Sequence, residues 1–74
     1  MNDQKDYRIR LGLNVRMRRH GMRFTQEELA AKLGCSSKTI SAIERGKQSL
    51  SVSMLFGLGR VLECPVKELL SDVE

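Results

Sequence analysis

The feature that most constrains the fold is a pair of short helices, each with its own start and stop signals. Thr25 is a candidate N-cap, and Glu28, three residues later, completes a capping box. Gly34 can end this helix, because glycine readily adopts the left-handed conformation of a helix C-cap. Ser36 can cap a second helix, which is ended by Gly46. Only a tight turn separates the two helices, so they must meet at a steep angle, as in a helix-turn-helix unit.

The segment before this pair is ambiguous. Between Tyr7 and His20 apolar residues alternate with arginine, which is a strand-like pattern. We interpret it as a helix ended by Gly21, because Arg, Leu and Met are good helix formers and the chain offers no partner strand. Met1 to Asp6 has no apolar periodicity. We therefore expect a flexible N-terminal arm over residues 1–6 and one domain over residues 7–74.

Two further helices are predicted after the pair. The fourth begins at either Ser49 or Ser51, and Pro65 opens a short fifth helix. Gly57 and Gly59 lie inside the fourth helix, where each glycine costs about 1 kcal/mol relative to alanine. At Gly59 we expect a close helix contact as compensation. Since aromatic residues make up only 4% of the 74 residues, the sequence predicts a compact all-α domain of five helices without a sheet.

Charge is distributed unevenly along the chain. Residues 1–62 contain 12 Lys and Arg against 5 Asp and Glu, a net charge of +7, whereas residues 63–74 contain 1 against 4, a net charge of −3. A basic body favours a polyanionic partner, because cationic contacts with phosphate release condensed counterions. No apolar run reaches the roughly 18 residues of a membrane span, and the N-terminus is charged where a secretory signal is apolar. We therefore expect a cytoplasmic protein.

The sequence gives no indication of a metal, cofactor or catalytic site. Cys35 and Cys64 lie far apart, and neither has a Cys or His at a metal-ligand spacing. We expect reduced thiols that fill gaps in the packing. His20 has no arrangement of Ser, Cys or carboxylate residues around it that would indicate an activated nucleophile. Neither an enzyme nor a small-molecule ligand is expected.

The second helix of the pair has an outward face suited to DNA. If Ile40 and Ile43 are buried, helical periodicity places four residues on the opposite, outward side: Lys38, Ser41, Ala42 and Arg45. Ser37 lies at the N-terminal edge of this face. These side chains are small, polar or cationic, which lets a helix approach the bases in the major groove. Lys38 can donate to guanine, and Ala42 can contact a thymine methyl. A single exposed Lys or Ser is usually only solvated surface, so the prediction rests on the arrangement.

Phosphate contacts are predicted at both ends of the pair. Gln26 lies in the first turn of its helix, where backbone N–H groups attract an anion. Arg45, together with Lys47 and Gln48 beyond Gly46, extends this contact along the DNA backbone. Glu44 is an acid close to the same surface, and we expect it to pair internally with an arginine of the first helix. The candidates are Arg16, Arg18 and Arg19.

The segments Thr25–Ala30, Leu33–Gly34 and Thr39–Lys47 closely resemble the phage repressor and Cro family, also called the XRE family, of helix-turn-helix regulators. The resemblance extends from Phe24 to Leu70. It implies a five-helix, lambda-repressor-like domain, a recognition helix at Ser37 to Arg45, and palindromic operator binding by dimers. By position it assigns base reading to Ser37, Lys38, Thr39 and Ala42, and phosphate contact to Gln26, Arg45, Lys47 and Gln48.

Two positions depart from the family pattern. The link His20–Phe24 is longer than usual, and Pro65 replaces the usual capping residue of the fifth helix. The longer link leaves the alignment of the first helix open, and with it the partner of Glu44. A proline is still compatible with a helix start.

The sequence favours a stand-alone transcriptional regulator, because only Ser71 to Glu74 follow Leu70 and no sensor domain is evident. We expect a repressor that binds double-stranded DNA. An apolar tail predicts a homodimer whose recognition helices lie about 34 Å apart; its residues are Val66, Leu69, Leu70 and Val73. The alternative is an antitoxin that neutralises a cognate toxin and also regulates its own promoter. For that function we expect a longer partner-wrapping segment.

Overall fold

The computed structural model describes residues 3–71 of the chain. This part is all-helical, as the sequence predicted, and contains five α-helices: α1 (Asp3–Gly21), α2 (Gln26–Leu33), α3 (Ser37–Glu44), α4 (Val52–Val61) and α5 (Val66–Leu69). The ambiguous segment between Tyr7 and His20 is helix, not strand. None of the helices formed by residues 3–71 is both long and apolar enough to cross a membrane.

Helix α1 begins earlier than the apolar periodicity indicated. It starts at Asp3, so the arm expected over residues 1–6 is wrong for Asp3 to Asp6, which are helical; residues 1 and 2 lie outside the described part. Residues 3–6 include no apolar residue, so apolar periodicity could not predict this part of the helix.

The caps of α2 follow the sequence pattern closely. The Thr25 hydroxyl accepts a hydrogen bond from the backbone N–H of Glu28 at 3.0 Å, and the Glu28 carboxylate accepts one from the backbone N–H of Thr25 at 2.8 Å. At the other end Gly34 has φ 77°, in the left-handed region that favours glycine. The predicted capping box and glycine C-cap are both present.

Serine caps also begin the next two helices. The Ser36 hydroxyl accepts a hydrogen bond from the backbone N–H of Thr39 at 3.2 Å, and the Ser51 hydroxyl accepts one from that of Met54 at 3.0 Å. Ser51, and not Ser49, is therefore the N-cap of α4. Pro65 immediately precedes α5 as its N-cap, in agreement with its predicted place at the helix start.

Two glycines allow helices to approach closely. A Cβ atom at Gly12 of α1 would overlap the carbonyl oxygens of Ile43 and Glu44, so α1 crosses the C-terminal end of α3 almost backbone to backbone. At Gly59 of α4 a Cβ atom would lie 3.0 Å from the carbonyl oxygen of Cys64. The close contact predicted at Gly59 is thus present.

The core lies among the five helices, where α1 and α2 pack on α3, and α1 and α4 pack on α5. Its fully buried side chains are aliphatic and come from every helix: Val15, Leu29, Ile40, Ile43, Leu58 and Leu69. Helix α3 packs against α1 and α2. Because its Ile40 and Ile43 are 0% and 1% exposed, the rotation of α3 about its own axis is fixed, and its opposite face is turned to solvent.

Candidate nucleic-acid interface

The outward face of α3 carries the residues predicted to read bases. Its buried side consists of Ile40, Ile43 and Glu44. Lys38 is exposed, and the other four predicted residues are partly exposed: Ser37, Thr39, Ser41 and Ala42. At about 100° per residue, Lys38 and Ala42 point away from this buried side, while Ser41, Thr39 and Ser37 lie towards the edges of the exposed surface.

Two hydroxyls on this face also make local contacts. The Thr39 hydroxyl lies 3.2 Å from that of Ser36, within hydrogen-bond distance at the start of α3. The Nε atom of Arg45 donates to the hydroxyl and the carbonyl oxygen of Ser41, both at 3.3 Å. Arg45 therefore folds back along α3 and places its guanidinium beside Ser41.

The α3–α4 loop (residues 45–51) extends this surface. Gly46 has φ 71°, a left-handed conformation that turns the chain out of the helix at no steric cost. Lys47 and Gln48, predicted to contact phosphate, are both exposed. The loop thus presents a cation and an amide next to the C-terminal end of α3.

Gln26 occupies the first position of α2, next to the exposed backbone N–H groups of the helix N-terminus. Its side-chain Nε2 donates to Oε1 of Glu44 at 3.0 Å. The predicted phosphate-binding glutamine is therefore also tied to α3, which sets its distance from the recognition surface.

Glu44 pairs with Arg19, one of the three arginines that the sequence left open. Nε of Arg19 donates to Oε2 of Glu44 at 2.6 Å, and Nη2 donates to Oε1 at 3.1 Å. Arg18 instead pairs with Glu68 of α5, while Arg16 is exposed. A charge-assisted, two-point contact of this kind fixes both orientation and distance between two helices.

The residues predicted to form a dimer interface do not lie on one surface. Leu69 is 0% exposed and belongs to the core of the monomer, so its assignment to an interface is wrong. Val66 is half-buried, Leu70 is exposed, and Val73 lies outside the described residues. Leu69, the last residue of α5, completes the core, whereas Leu70, which follows it, is exposed.

The two cysteines behave as packing residues. Cys64 is buried in the core and Cys35 is half-buried against it, and both thiols are free. Burial raises the pKa of both thiols, and at Cys64 nearby Arg18 opposes this rise whereas Glu68 adds to it. Within residues 3–71, no three His, Cys, Asp or Glu residues are grouped as metal ligands would be.

Arg8 was not among the sequence-predicted site residues, yet it reaches the α3–α4 loop. Its Nη1 donates to the hydroxyl of Ser49 at 3.3 Å. The signal for it was available: Arg8 and Arg19 are eleven residues apart, close to three helical turns, and so share one face of α1. It was missed because the alternation of this segment conceals its helical faces.

Comparison with known proteins gives consistent results. A family model described as helix-turn-helix matches residues 5–69. An uncharacterized transcriptional regulator in the ATPase CF(0) region of Rhodospirillum rubrum is 36% identical over 64 residues, which cover 86% of this chain and 59% of that protein. The HTH-type transcriptional regulator DicA of Escherichia coli is 36% identical over 56 residues, covering 76% of this chain and 42% of that protein. The chain thus spans about half the length of these two relatives.

Solved structures share the fold over nearly the whole chain. The restriction-modification controller protein C.AhdI from Aeromonas hydrophila superimposes with a TM-score of 0.85 at 25% identity, covering 92% of this chain and 99% of that one. A hypothetical transcription factor, NHTF, from Neisseria gives a TM-score of 0.85 at 29% identity, covering 97% and 83%. The relatives are transcriptional regulators by name, which is the class that the sequence predicted.

Proposed function

Because the chain belongs to the XRE-type helix-turn-helix family, we propose that it is a sequence-specific DNA-binding transcriptional regulator. The observation that carries the proposal is the outward face of α3. It combines an exposed lysine with small polar side chains on a helix whose buried side is fixed by Ile40 and Ile43. A helix with such a face can enter the major groove without steric or electrostatic conflict.

Each residue on this face has a role that follows from its chemistry. Lys38 donates to O6 and N7 of guanine, and Ala42 contacts the methyl group of thymine. Ser37, Thr39 and Ser41 use hydroxyls that can donate or accept at several base edges. Lys38 is the residue of this group that discriminates best, because the hydroxyl contacts are degenerate.

Phosphate contacts position α3 and carry no base information themselves. Gln26, at the N-terminus of α2, holds the backbone on one side, and Arg45, Lys47 and Gln48 hold it on the other. The side chains of Gln26 and Arg19 both contact Glu44, so the phosphate-binding end of α2 and the base-reading face of α3 move as one unit. Because of this coupling, a phosphate contact at the start of α2 determines how deeply α3 lies in the major groove.

We further propose that the protein binds a palindromic operator as a homodimer and represses transcription from the promoter it covers. Of the residues predicted for the interface, Leu70 is 40% exposed and supplies apolar surface, while Val66 is only partly available. Symmetric dimers place two recognition helices about 34 Å apart, one turn of B-DNA. Repression then requires only that the operator overlaps a promoter.

The experiment is selection of bound sequences from a random duplex pool, followed by sedimentation of the protein with and without the winning duplex. An enriched palindrome bound by two protomers supports the whole proposal. An enriched site bound by one protomer contradicts the proposed dimer and still supports sequence-specific DNA binding. Enrichment of no sequence contradicts specific DNA binding and favours the antitoxin alternative, in which a toxin is the main partner.

A further inference from the structure

Helix α1 lies across the end of α3, and Gly12 marks the crossing. On one side of the crossing Arg19 reaches Glu44, and on the other side Arg8 reaches Ser49 of the α3–α4 loop. At about 100° per residue, Arg8, Gly12 and Arg19 fall within about 40° of one another around α1. One face of α1 therefore contacts both the C-terminal end of α3 and the loop that follows it.

The α3–α4 loop is attached to α1 at two points. Gly46 packs on Ile9 so closely that a Cβ atom there would lie 3.0 Å from Cγ1 and 3.2 Å from Cα of Ile9. Three residues later, the Ser49 hydroxyl accepts the hydrogen bond from Arg8. Lys47 and Gln48 lie between these attachment points and are both exposed. The N-terminal half of α1 thus holds the loop on both sides of Lys47 and Gln48.

Among the side chains of residues 7–71, no carboxylate neutralises the charge of Arg8, whereas Arg18 and Arg19 are paired with Glu68 and Glu44. A guanidinium has five N–H donors, and Arg8 uses one of them on Ser49. Its Nε atom is buried without a hydrogen-bond partner in the described part of the chain. Arg8 therefore holds a positive charge beside Ser49, two residues along the chain from the exposed Lys47, and its terminal nitrogens have donors that Ser49 does not use.

We propose that Arg8 and Ser49 bind a phosphodiester group of the DNA backbone next to the one that Lys47 contacts, which extends the DNA-contacting surface to α1. The terminal nitrogens of Arg8 bind the phosphate oxygens, and the Ser49 hydroxyl accepts from Arg8 while it donates to the same group. Lys47 neutralises the neighbouring phosphate. This inference rests on the proposed function, because it requires that the α3–α4 loop faces DNA.

The test is fluorescence anisotropy with the selected duplex at salt concentrations from about 50 mM to about 200 mM. Each phosphate contact contributes about 0.9 to the slope of log affinity against log salt. The slope for Arg8→Gln should therefore be smaller by about 0.9, so that this variant loses about 3.5-fold less affinity over that range than the wild type. The matched control is Arg60→Gln, which removes the same charge. Arg60 lies near the C-terminal end of α4, about 12 Å along the helix from Val52, where α4 begins after the α3–α4 loop. The slope of this control should equal that of the wild type.

A second measurement identifies the phosphate itself. Duplexes in which single phosphates are replaced by neutral methylphosphonates should include one that weakens the wild type and leaves Arg8→Gln unaffected. An Arg8→Gln slope equal to that of the wild type, or a methylphosphonate pattern identical for both proteins, would overturn the inference. If circular dichroism shows that Arg8→Gln is unfolded, Arg8→Lys replaces it. Arg8→Lys keeps the positive charge and therefore the salt slope, but it should lose affinity severalfold at fixed salt because lysine lacks the guanidinium donors. Unchanged affinity would contradict the proposed site.

The outcomes also separate this inference from the proposed function. If the wild type selects no sequence, the proposed function and the Arg8 site both fail. If the wild type binds a selected duplex and Lys47→Gln lowers the slope while Arg8→Gln does not, only the Arg8 site fails.

Discussion

Arg19 and Glu44 form a buried ion pair between α1 and α3, with Nε of the arginine 2.6 Å from Oε2 and the Glu44 side chain only 3% exposed. The same arginine donates through Nη1 to the carbonyl oxygen of Phe24 at 2.8 Å, and Gln26 donates to the same carboxylate. One carboxylate therefore connects α1, the start of α2 and the recognition helix.

Removing one partner of this pair should be costly. We expect Arg19→Ala to lower the free energy of unfolding by about 3–5 kcal/mol, because it leaves the buried charge of Glu44 without its counter-ion. The measurement is urea denaturation. Arg18→Ala is the control, since its pair with Glu68 is exposed, with side chains 42% and 47% accessible, and such pairs contribute about 0–1 kcal/mol. Equal losses in the two variants would show that the Arg19 pair has no special structural role.

Gly12 and Gly21, both in α1, should respond in opposite ways to alanine. In an open helix the change gains up to about 1 kcal/mol, and a Cβ atom at Gly21 meets nothing within 4 Å. At Gly12 the added methyl overlaps backbone oxygens of α3, and backbone cannot rotate away as a side chain can. Thermal unfolding should show Gly12→Ala destabilised by about 1–3 kcal/mol or more and Gly21→Ala unchanged or stabilised. A neutral Gly12→Ala would mean that α1 does not cross α3 at this point.

Signals that act within four residues along the chain were sufficient to predict the helix pair. Thr25, Ser36 and Gly34 cap their helices through hydrogen bonds and backbone angles that their immediate neighbours determine. The same holds for the face of α3, because burial of Ile40 and Ile43 sets the direction of every other side chain on that helix. The predicted base-reading residues follow from this periodicity and from the family resemblance.

Contacts between distant segments were not predictable in the same way. Arg16, Arg18 and Arg19 point in different directions around α1, and only the packing of α1 on α3 brings Arg19 to Glu44. The apolar tail was equally undetermined, because sequence alone does not show that Leu69 fills the monomer core while Leu70 is exposed. Tertiary packing decides both, and local periodicity carries no information about it.

The capping box of α2 gives a prediction for a single hydroxyl. Thr25→Ala should lower the free energy of unfolding by about 1 kcal/mol, because the backbone N–H of Glu28 loses its acceptor. Thr25→Ser keeps the hydroxyl and should restore most of this stability. Thermal unfolding compares the three proteins. If serine and alanine variants are equally destabilised, the effect comes from side-chain packing and not from the cap.

The buried thiol of Cys64 predicts a loss of stability at alkaline pH. Its pKa in the folded protein is raised above the ordinary value of 9.0, first by burial. Below that pH the thiol is protonated in both states, so its contribution is constant; above it the unfolded chain ionises first, and stability falls as pH rises towards the folded pKa. Urea denaturation between about pH 8 and about pH 10 should show a shallower decline for Cys64→Ala than for the wild type. Parallel declines would indicate that Cys64 ionises equally in both states.

The central claim, that α3 reads bases while the α3–α4 loop binds phosphate, is tested most directly by comparing two lysines on two duplexes. Affinities of Lys38→Ala and Lys47→Ala are measured for the selected operator and for a scrambled duplex, with Lys67→Ala of α5 as a charge-matched control. We predict that Lys38→Ala costs about 1–3 kcal/mol on the operator alone, whereas Lys47→Ala weakens both duplexes alike and lowers the salt slope by about 1. The control should match the wild type on both. Equal losses from Lys38→Ala on operator and scrambled DNA would contradict the claim.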